Sequence, residues 1–284
     1  MAGTGEFDRS KIKAAAFDLD GTILLDGAIS PDTRRALRDL NDSGVNVILA
    51  TGRHYRMILP YLKGLPFIRH AVCANGAQVV DLLNRRTICF SPMDGQAAEI
   101  LTGRLVREAR STQILLKDEV LISVFDIVKM GCELSKRSSR KKRYEIFKWA
   151  RFVLEPVSLV SKSGNTVIKI NAYFSDPVAR RDFQADIEGK YPLEIASTMG
   201  NDVEITARGV NKGSGLEALC AHLGIEPAQV IVFGDSGNDL AMIRWAGWAV
   251  AMGNADPAVA AEADWAAPPA AEDGAARMIR ELFL

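Results

Sequence analysis

Asp18 and Asp20 stand two residues apart where the apolar run Ala14 to Phe17 gives way to the turn Leu19-Asp20-Gly21-Thr22. If the extended backbone continues through them, both carboxylates leave the same face, where the chain opens at Gly21. Carboxylates that close repel unless a cation or a shared proton stands between them, and a divalent ion with hard oxygen ligands is the expected partner. Asp235 and Asp239, after another apolar run, could complete its shell. These turns hold no His or Cys, which favours Mg²⁺ over zinc. A capped turn is the plain alternative for one such acidic pair. Lys212 follows Gly209-Val210-Asn211 at a helix start, where an ammonium and free backbone N–H groups suit an anion such as phosphate. Its plain alternative is a solvated helix end. Thr51 with Gly52 adds a hydroxyl and an open N–H. A carboxylate nucleophile, one metal, one cation and a hydroxyl-amide cradle make up a phosphoryl-transfer site, where the protein's task is positioning and charge neutralisation.

These residues fall at the ends of short apolar runs, and each run stops at a polar turn. The runs are Ala14 to Phe17, Val45 to Ala50, His70 to Ala74, Gln229 to Phe233 and Trp248 to Met252. Each reads as a buried strand. Helices are expected between them: Ser30-Pro31-Asp32 caps Thr33 to Ser43 before Gly44, and Lys212 to Leu223 stops at Gly224. Alternating strands and helices predict a Rossmann-like, doubly wound parallel α/β sheet with its ligand site beyond the carboxyl ends of the strands. Residues 84–207 read as an inserted α+β cap, with strands at Val120 to Val128, Thr166 to Asn171 and the hairpin Leu193 to Ser197 and Asp202 to Thr206. The catalytic core is therefore expected at 1–83 and 208–284, and the insert as a lid that shapes the substrate pocket.

The chain has 284 residues, 48% hydrophobic and 25% charged, the composition of an ordinary globular protein of about two domains. Lys plus Arg balances Asp plus Glu, 35 against 35, so there is no global field to hold nucleic acid or an anionic membrane. Cys73, Cys89, Cys132 and Cys220 lie far apart without a CxxC pair and are not a disulfide framework. With no signal-like start and no long apolar stretch, the sequence reads as cytoplasmic.

The ordered set Asp18-Leu19-Asp20-Gly21-Thr22, Thr51-Gly52-Arg53, Lys212 and Gly234-Asp235-Ser236-Gly237-Asn238-Asp239 resembles the four motifs of the haloacid dehalogenase superfamily. Asn75-Gly76-Ala77, Gly209-Val210-Asn211-Lys212-Gly213, Ala251-Met252-Gly253-Asn254-Ala255 and Glu272-Asp273-Gly274 resemble its Cof-type branch. The resemblance implies a Mg²⁺-dependent phosphatase acting on a small phosphorylated metabolite, a sugar phosphate foremost. Asp18 would be the nucleophile that forms an aspartyl-phosphate, and Asp20 the general acid and base. Asp18, Asp235 and the Asp20 carbonyl would hold the metal, supported by Asp239. Thr51, Gly52 and Lys212 would bind the phosphoryl group, with Arg53, Asn75, Gly76 and Asn238 as further contacts to phosphate or substrate. A phosphomannomutase-like phosphotransferase of the same fold, or a non-catalytic phosphate- or RNA-binding protein, is the alternative.

Other motifs compete less well. Gly234-Asp235-Ser236-Gly237 echoes a serine-protease nucleophile segment but ends a strand of an α/β chain. Lys212-Gly213-Ser214 has the wrong order for a P-loop. His54, His70 and His222 form no helical pair and read as core or surface residues, with His54 set apart by its neighbour Arg53. Trp245, Trp248 and Trp265 read as packing residues. The run Lys136 to Arg143 carries six positive charges in eight residues and reads as a solvated face, a lip that attracts an anionic substrate, or a nucleic-acid patch.

Overall fold

The structure is a computed structural model that describes residues 6–126, 148–164, 166–197 and 200–284. The basic run Lys136 to Arg143, Cys132 and the hairpin residue Met199 lie outside the described residues. The strands in chain order are β1 (Ala14–Phe17), β2 (Asn46–Ala50), β3 (His70–Cys73), β4 (Gln78–Asp81), β5 (Arg86–Phe90), β6 (Ser111–Leu116), β7 (Val120–Ser123), β8 (Ala150–Val153), β9 (Val167–Tyr173), β10 (Leu193–Ala196), β11 (Asp202–Ala207), β12 (Val230–Gly234), β13 (Trp248–Ala251) and β14 (Trp265–Ala266). Contacts divide the chain into two compact units, Met1–Cys89 with Asn211–Leu284, and Phe90–Val210.

The first unit is built on an eight-stranded sheet in the order β14-β13-β12-β1-β2-β3-β4-β5. Its central strands are apolar throughout because both faces are covered. Ala15 and Phe17 of β1, Val47 and Leu49 of β2, and Ile231 and Phe233 of β12 enter one core cluster. Ala14 and Ala16, Ile48 and Ala50, and Val230 and Val232 enter the other. Helices Pro31–Asp42 and Gly274–Phe283 bury Leu37, Leu40, Met278 and Ile279 in the first cluster, while helices Lys212–Leu223 and Leu240–Trp245 bury Leu216, Leu219 and Met242 in the second. The sheet is parallel from β14 to β3 and becomes antiparallel where β4 returns beside β3, so it is mixed rather than wholly parallel. The reversal follows the tight turn Ala74–Gly76, in which Ala74, Asn75 and Gly76 all have positive φ (51°, 55° and 92°).

The second unit carries a six-stranded sheet, β10-β11-β9-β6-β7-β8, with antiparallel pairing except between β7 and β8. Helices Gly95–Glu108 and Pro177–Ile187 supply Leu101, Leu105, Phe183 and Ile187 to its core. The strand expected over Val120 to Val128 stops at Ser123. Beyond it the alternation fails, because Phe125 is exposed while Asp126 turns inward and accepts the Thr112 N–H at 2.8 Å. Among the described residues, no helix is long and apolar enough to cross a membrane.

Candidate active site

Asp18 is the first residue beyond β1, and its N–H still donates to the Phe233 carbonyl at 3.0 Å, so the sheet fixes it in a buried position. The extended backbone does not continue to Asp20. The chain turns at Leu19, whose carbonyl accepts from the N–H groups of Ile23 (3.1 Å) and Leu24 (2.7 Å). The two carboxylates therefore part: Asp18 faces the interior and Asp20, with its side chain 56% exposed, pairs with Arg53. Gly21 has φ +82°, and a Cβ there would lie 2.3 Å from Asp235 Oδ2. A glycine is thus required both by the turn and by the approach of Asp235. The Thr22 hydroxyl donates to Asp235 Oδ1 at 3.1 Å.

Lys212 opens its helix behind an Asn211 cap closed reciprocally by Ser214. Its side chain is wholly buried, and Nζ donates to Asp18 Oδ1 and to Asp239 Oδ1, each at 2.6 Å. Asp239 Oδ2 accepts the N–H groups of Asp235 (2.9 Å) and Ser236 (3.0 Å), so both its oxygens are engaged in holding the Lys212 ammonium and the Asp235 turn. Close backbone packing brings the helix start this deep. A Cβ on Gly215 would meet Val72 Cγ1 at 2.5 Å, and one on Gly76 would meet the Asn211 carbonyl oxygen at 1.9 Å. Gly76, expected to contact phosphate or substrate, is a buried packing position under the helix that carries Lys212.

The Asp18, Asp235 and Asp239 carboxylates each place an oxygen within 4.8 Å of the others, and Lys212 is the cation bridging two of them. Burial raises the Asp18 carboxyl well above its ordinary range against the pull of Lys212, with repulsion from Asp239 and Asp235 adding to the rise. Asp235 is pushed up to about 6, first by burial and then by the charge of Asp239, although the Thr22 hydrogen bond and Lys212 oppose it. Burial works against the Lys212 charge, but Asp18 and Asp239 outweigh it and hold the ammonium. Three carboxylates against one ammonium leave an excess of negative charge on hard oxygen donors, and this set fits a divalent cation such as Mg²⁺. The side chain of Asp20 is not among the three, so a contribution from that residue would come through its carbonyl, as the motif resemblance implied.

Asn254 is the residue that spacing alone did not assign. Its Nδ2 donates to the Gly21 carbonyl (2.9 Å) and approaches Asp235 Oδ2 (3.4 Å), while its Oδ1 accepts the Ala270 N–H (2.8 Å). One amide thereby ties the loop after β1, the Asp235 carboxylate and the loop before the last helix. The signal was present as Gly253-Asn254 at the end of β13, but its partners lie far away in sequence.

Thr51 extends β2 by accepting the Asn75 N–H on its carbonyl (3.1 Å) and donating its own N–H to Val72 (2.8 Å). Its buried hydroxyl accepts the Arg53 N–H at 3.2 Å. Asn238 Nδ2 donates to Asn75 Oδ1 at 3.3 Å and Ser236 donates to Asn238 Oδ1 at 2.9 Å, so these two expected contact residues form one network. The Ser236 hydroxyl serves this turn, which leaves the protease reading without support. His54 is fully buried and its Nδ1 accepts the Arg56 N–H, a capping role. Trp248 and Trp265 stack at 5.3 Å beneath Phe7, as packing residues do.

The family model described as haloacid dehalogenase-like hydrolase matches residues 15–279. The 5-amino-6-(5-phospho-D-ribitylamino)uracil phosphatase YcsE of Bacillus subtilis is 29% identical over 280 residues, covering 96% of each chain. The pyridoxal phosphate phosphatase YbhA of Escherichia coli is 28% identical, covering 89% of this chain and 92% of its own. The solved structure of a haloacid dehalogenase-like hydrolase from B. subtilis superposes with a TM-score of 0.85 at 22% identity, over 96% of this chain and all of that one, a likeness of fold.

Proposed function

Because the chain belongs to the haloacid dehalogenase-like hydrolase family and is a phosphoric monoester hydrolase, we propose that it is Mg²⁺-dependent and dephosphorylates a small sugar or sugar-alcohol phosphate through an aspartyl-phosphate on Asp18. The observation that carries this reading is the buried constellation in which Lys212 bridges Asp18 and Asp239 at 2.6 Å beside Asp235. The Lys212 contact to Asp18 Oδ1 supports Oδ2 as the oxygen that attacks phosphorus. The P–O bond to the leaving group breaks as Asp20 gives its proton to the leaving oxygen. Asp20 then takes a proton from the water that attacks the aspartyl-phosphate, restoring Asp18 and releasing phosphate. Thr51, Gly52 and Lys212 bind the phosphoryl oxygens. Asp18, Asp235 and the Asp20 carbonyl would hold Mg²⁺, with Asp239 fixing the turn; the ion supplies positive charge to the transferring group. Choice among substrates falls to the insert at residues 84–207, which lies outside the motifs. The relatives' named substrates, a ribitylaminouracil phosphate and pyridoxal phosphate, support a small phosphorylated metabolite.

A phosphate-release panel of sugar phosphates, the ribitylaminouracil phosphate and pyridoxal phosphate tests this, with EDTA-treated protein and after Mg²⁺ is restored. Turnover in verified metal-free protein would sink the Mg²⁺ assignment, and a requirement for a bisphosphate activator would indicate phosphotransfer to a sugar instead. Asp18→Asn should abolish turnover and labelling. Asp20→Asn, given acetyl phosphate, should accumulate the phosphoprotein in acid-quenched mass spectra. Robust label in Asp18→Asn would reverse the assignment.

A further inference from the structure

Arg53, expected near phosphate or substrate, has its guanidinium engaged by Asp20 and Tyr61. Nε donates to Asp20 Oδ2 at 2.7 Å and Nη2 to Asp20 Oδ1 at 2.6 Å, the bidentate fork of a guanidinium on a carboxylate. Nη1 donates to the Tyr61 hydroxyl at 3.1 Å, and the same group lies 5.1 Å from the Tyr61 ring centroid. The backbone of Arg53 is held on both sides: its N–H donates to Thr51 Oγ1 at 3.2 Å and its carbonyl accepts the Ala74 N–H at 2.8 Å. Tyr61 in turn packs against the core cluster that contains Phe17 and Leu49. A line of contacts therefore runs from the core through Tyr61 and Arg53 to a carboxylate that is otherwise more than half exposed.

With its carboxylate more than half exposed, the pair is screened by water and its worth is not mainly in stability. What a fork fixes is direction, since a planar guanidinium that uses two N–H groups on one carboxylate and a third on a rooted phenol has one orientation. Without it, an exposed Asp side chain would distribute over its staggered rotamers, and proton transfer to a leaving oxygen needs hydrogen-bond reach. We propose that Arg53 and Tyr61 are positioning residues of the acid–base step: Tyr61 orients Arg53, and Arg53, which uses one lone pair of each Asp20 oxygen, holds the carboxyl so that a remaining lone-pair site carries the proton delivered to the leaving oxygen. This rests on the phosphatase reading with Asp20 as acid. It predicts that damage to the line is felt in proportion to the leaving group's need for a proton.

Phenyl phosphate and p-nitrophenyl phosphate separate that need, because they carry the same phosphoryl group on leaving groups of very different basicity. Tyr61→Phe keeps the ring and removes the hydroxyl. It should lower kcat/KM for phenyl phosphate about tenfold, part of the roughly 100- to 10,000-fold that general acid catalysis contributes, because Asp20 itself remains, and for p-nitrophenyl phosphate less than about twofold. Arg53→Lys keeps the charge without the fork and should show the same selectivity in kcat/KM with a larger loss on phenyl phosphate. The comparison is made in kcat/KM, since hydrolysis of the common aspartyl-phosphate is the same for both esters. Equal losses of kcat/KM on both esters, the signature of a phosphate contact or a damaged fold, would overturn the proposal, as would no loss on either. If wild type cleaves neither aryl ester, a sugar phosphate and acetyl phosphate make the same comparison of basic and activated leaving groups; hydrolysis of none of the four would overturn the phosphatase reading itself and this proposal with it.

Discussion

Lys212 shows how much of this site depends on a few atoms. A wholly buried ammonium is sustained by two carboxylates at 2.6 Å, and one of them, Asp239, is held by two backbone N–H groups. Spacing brought Asp18, Lys212, Asp235 and Asp239 forward, each with a plain alternative in a capped turn or a solvated helix end, and the four motifs standing in order are what set them apart. Asn254 and Tyr61 were not legible. An amide or a phenol is a common residue, and what distinguishes these two is the identity of partners 233 and 8 positions away, Gly21 and Arg53. Asn254→Ala removes the donor beside Asp235 Oδ2 and the tie to Gly21. It should weaken Mg²⁺ binding about tenfold, the low end of what supporting contacts to metal ligands contribute, as read by calorimetric titration of the purified protein. Unchanged Mg²⁺ affinity would show that Asn254 only closes the loop at Ala270.

At the scale of elements, β1, β2 and β12 were legible as uninterrupted apolar strands because both their faces meet helices. β8 (Ala150–Val153) and helix Pro177–Ile187 were not: β8 buries only Val153, and the helix commits only Phe183 and Ile187, so neither presents a clear period. β9 conceals a buried charge. Lys169, fully buried, pairs with Glu204 of β11 at 2.8 Å. Lys169→Ala would leave the Glu204 carboxylate buried without that partner and should cost about 3–5 kcal/mol in urea unfolding of the intact protein, whereas the double change Lys169→Met with Glu204→Met should recover most of the loss. A small cost for the single change would mean that water reaches Glu204. The β3–β4 pair carries an acid-sensitive contact. Asp81 accepts from Asn84 N (3.0 Å) and Nδ2 (2.7 Å), and Arg69 stands at 3.6 Å. Burial works against its ionisation, but these partners hold the carboxyl at about 2, below its ordinary 3.8. A carboxyl depressed on folding stabilises above its unfolded value, and that contribution is lost as pH falls through its folded one. Wild type should therefore exceed Asp81→Asn in urea midpoint at pH 5, with the gap closing between pH 4 and pH 2. A gap that stays constant with pH would exclude the charge as its source.

For the whole molecule, a metal held by Asp18, Asp235 and the Asp20 carbonyl, with Asp239 in support, would stabilise the unit that contains it. At a free Mg²⁺ concentration of a hundred times its dissociation constant the gain is about 2.7 kcal/mol. The unfolding midpoint of that unit should rise with Mg²⁺ and return with EDTA, and a midpoint indifferent to both would refute the assignment. From the sequence alone came the class of the fold, the strands that carry the motifs and the chemistry of their turns. Each of these depends on local pattern: an apolar run, a glycine where φ must be positive, a charge where a strand ends. The tertiary structure decided the rest, namely that Asp18 and Asp20 part at Leu19, that Gly76 packs under the Lys212 helix, that Arg53 serves Asp20, and that Asn254 joins three loops. Those facts turn on which distant segments approach to within a hydrogen bond. That is settled by packing helices on both faces of one sheet, and no window of neighbouring residues contains it.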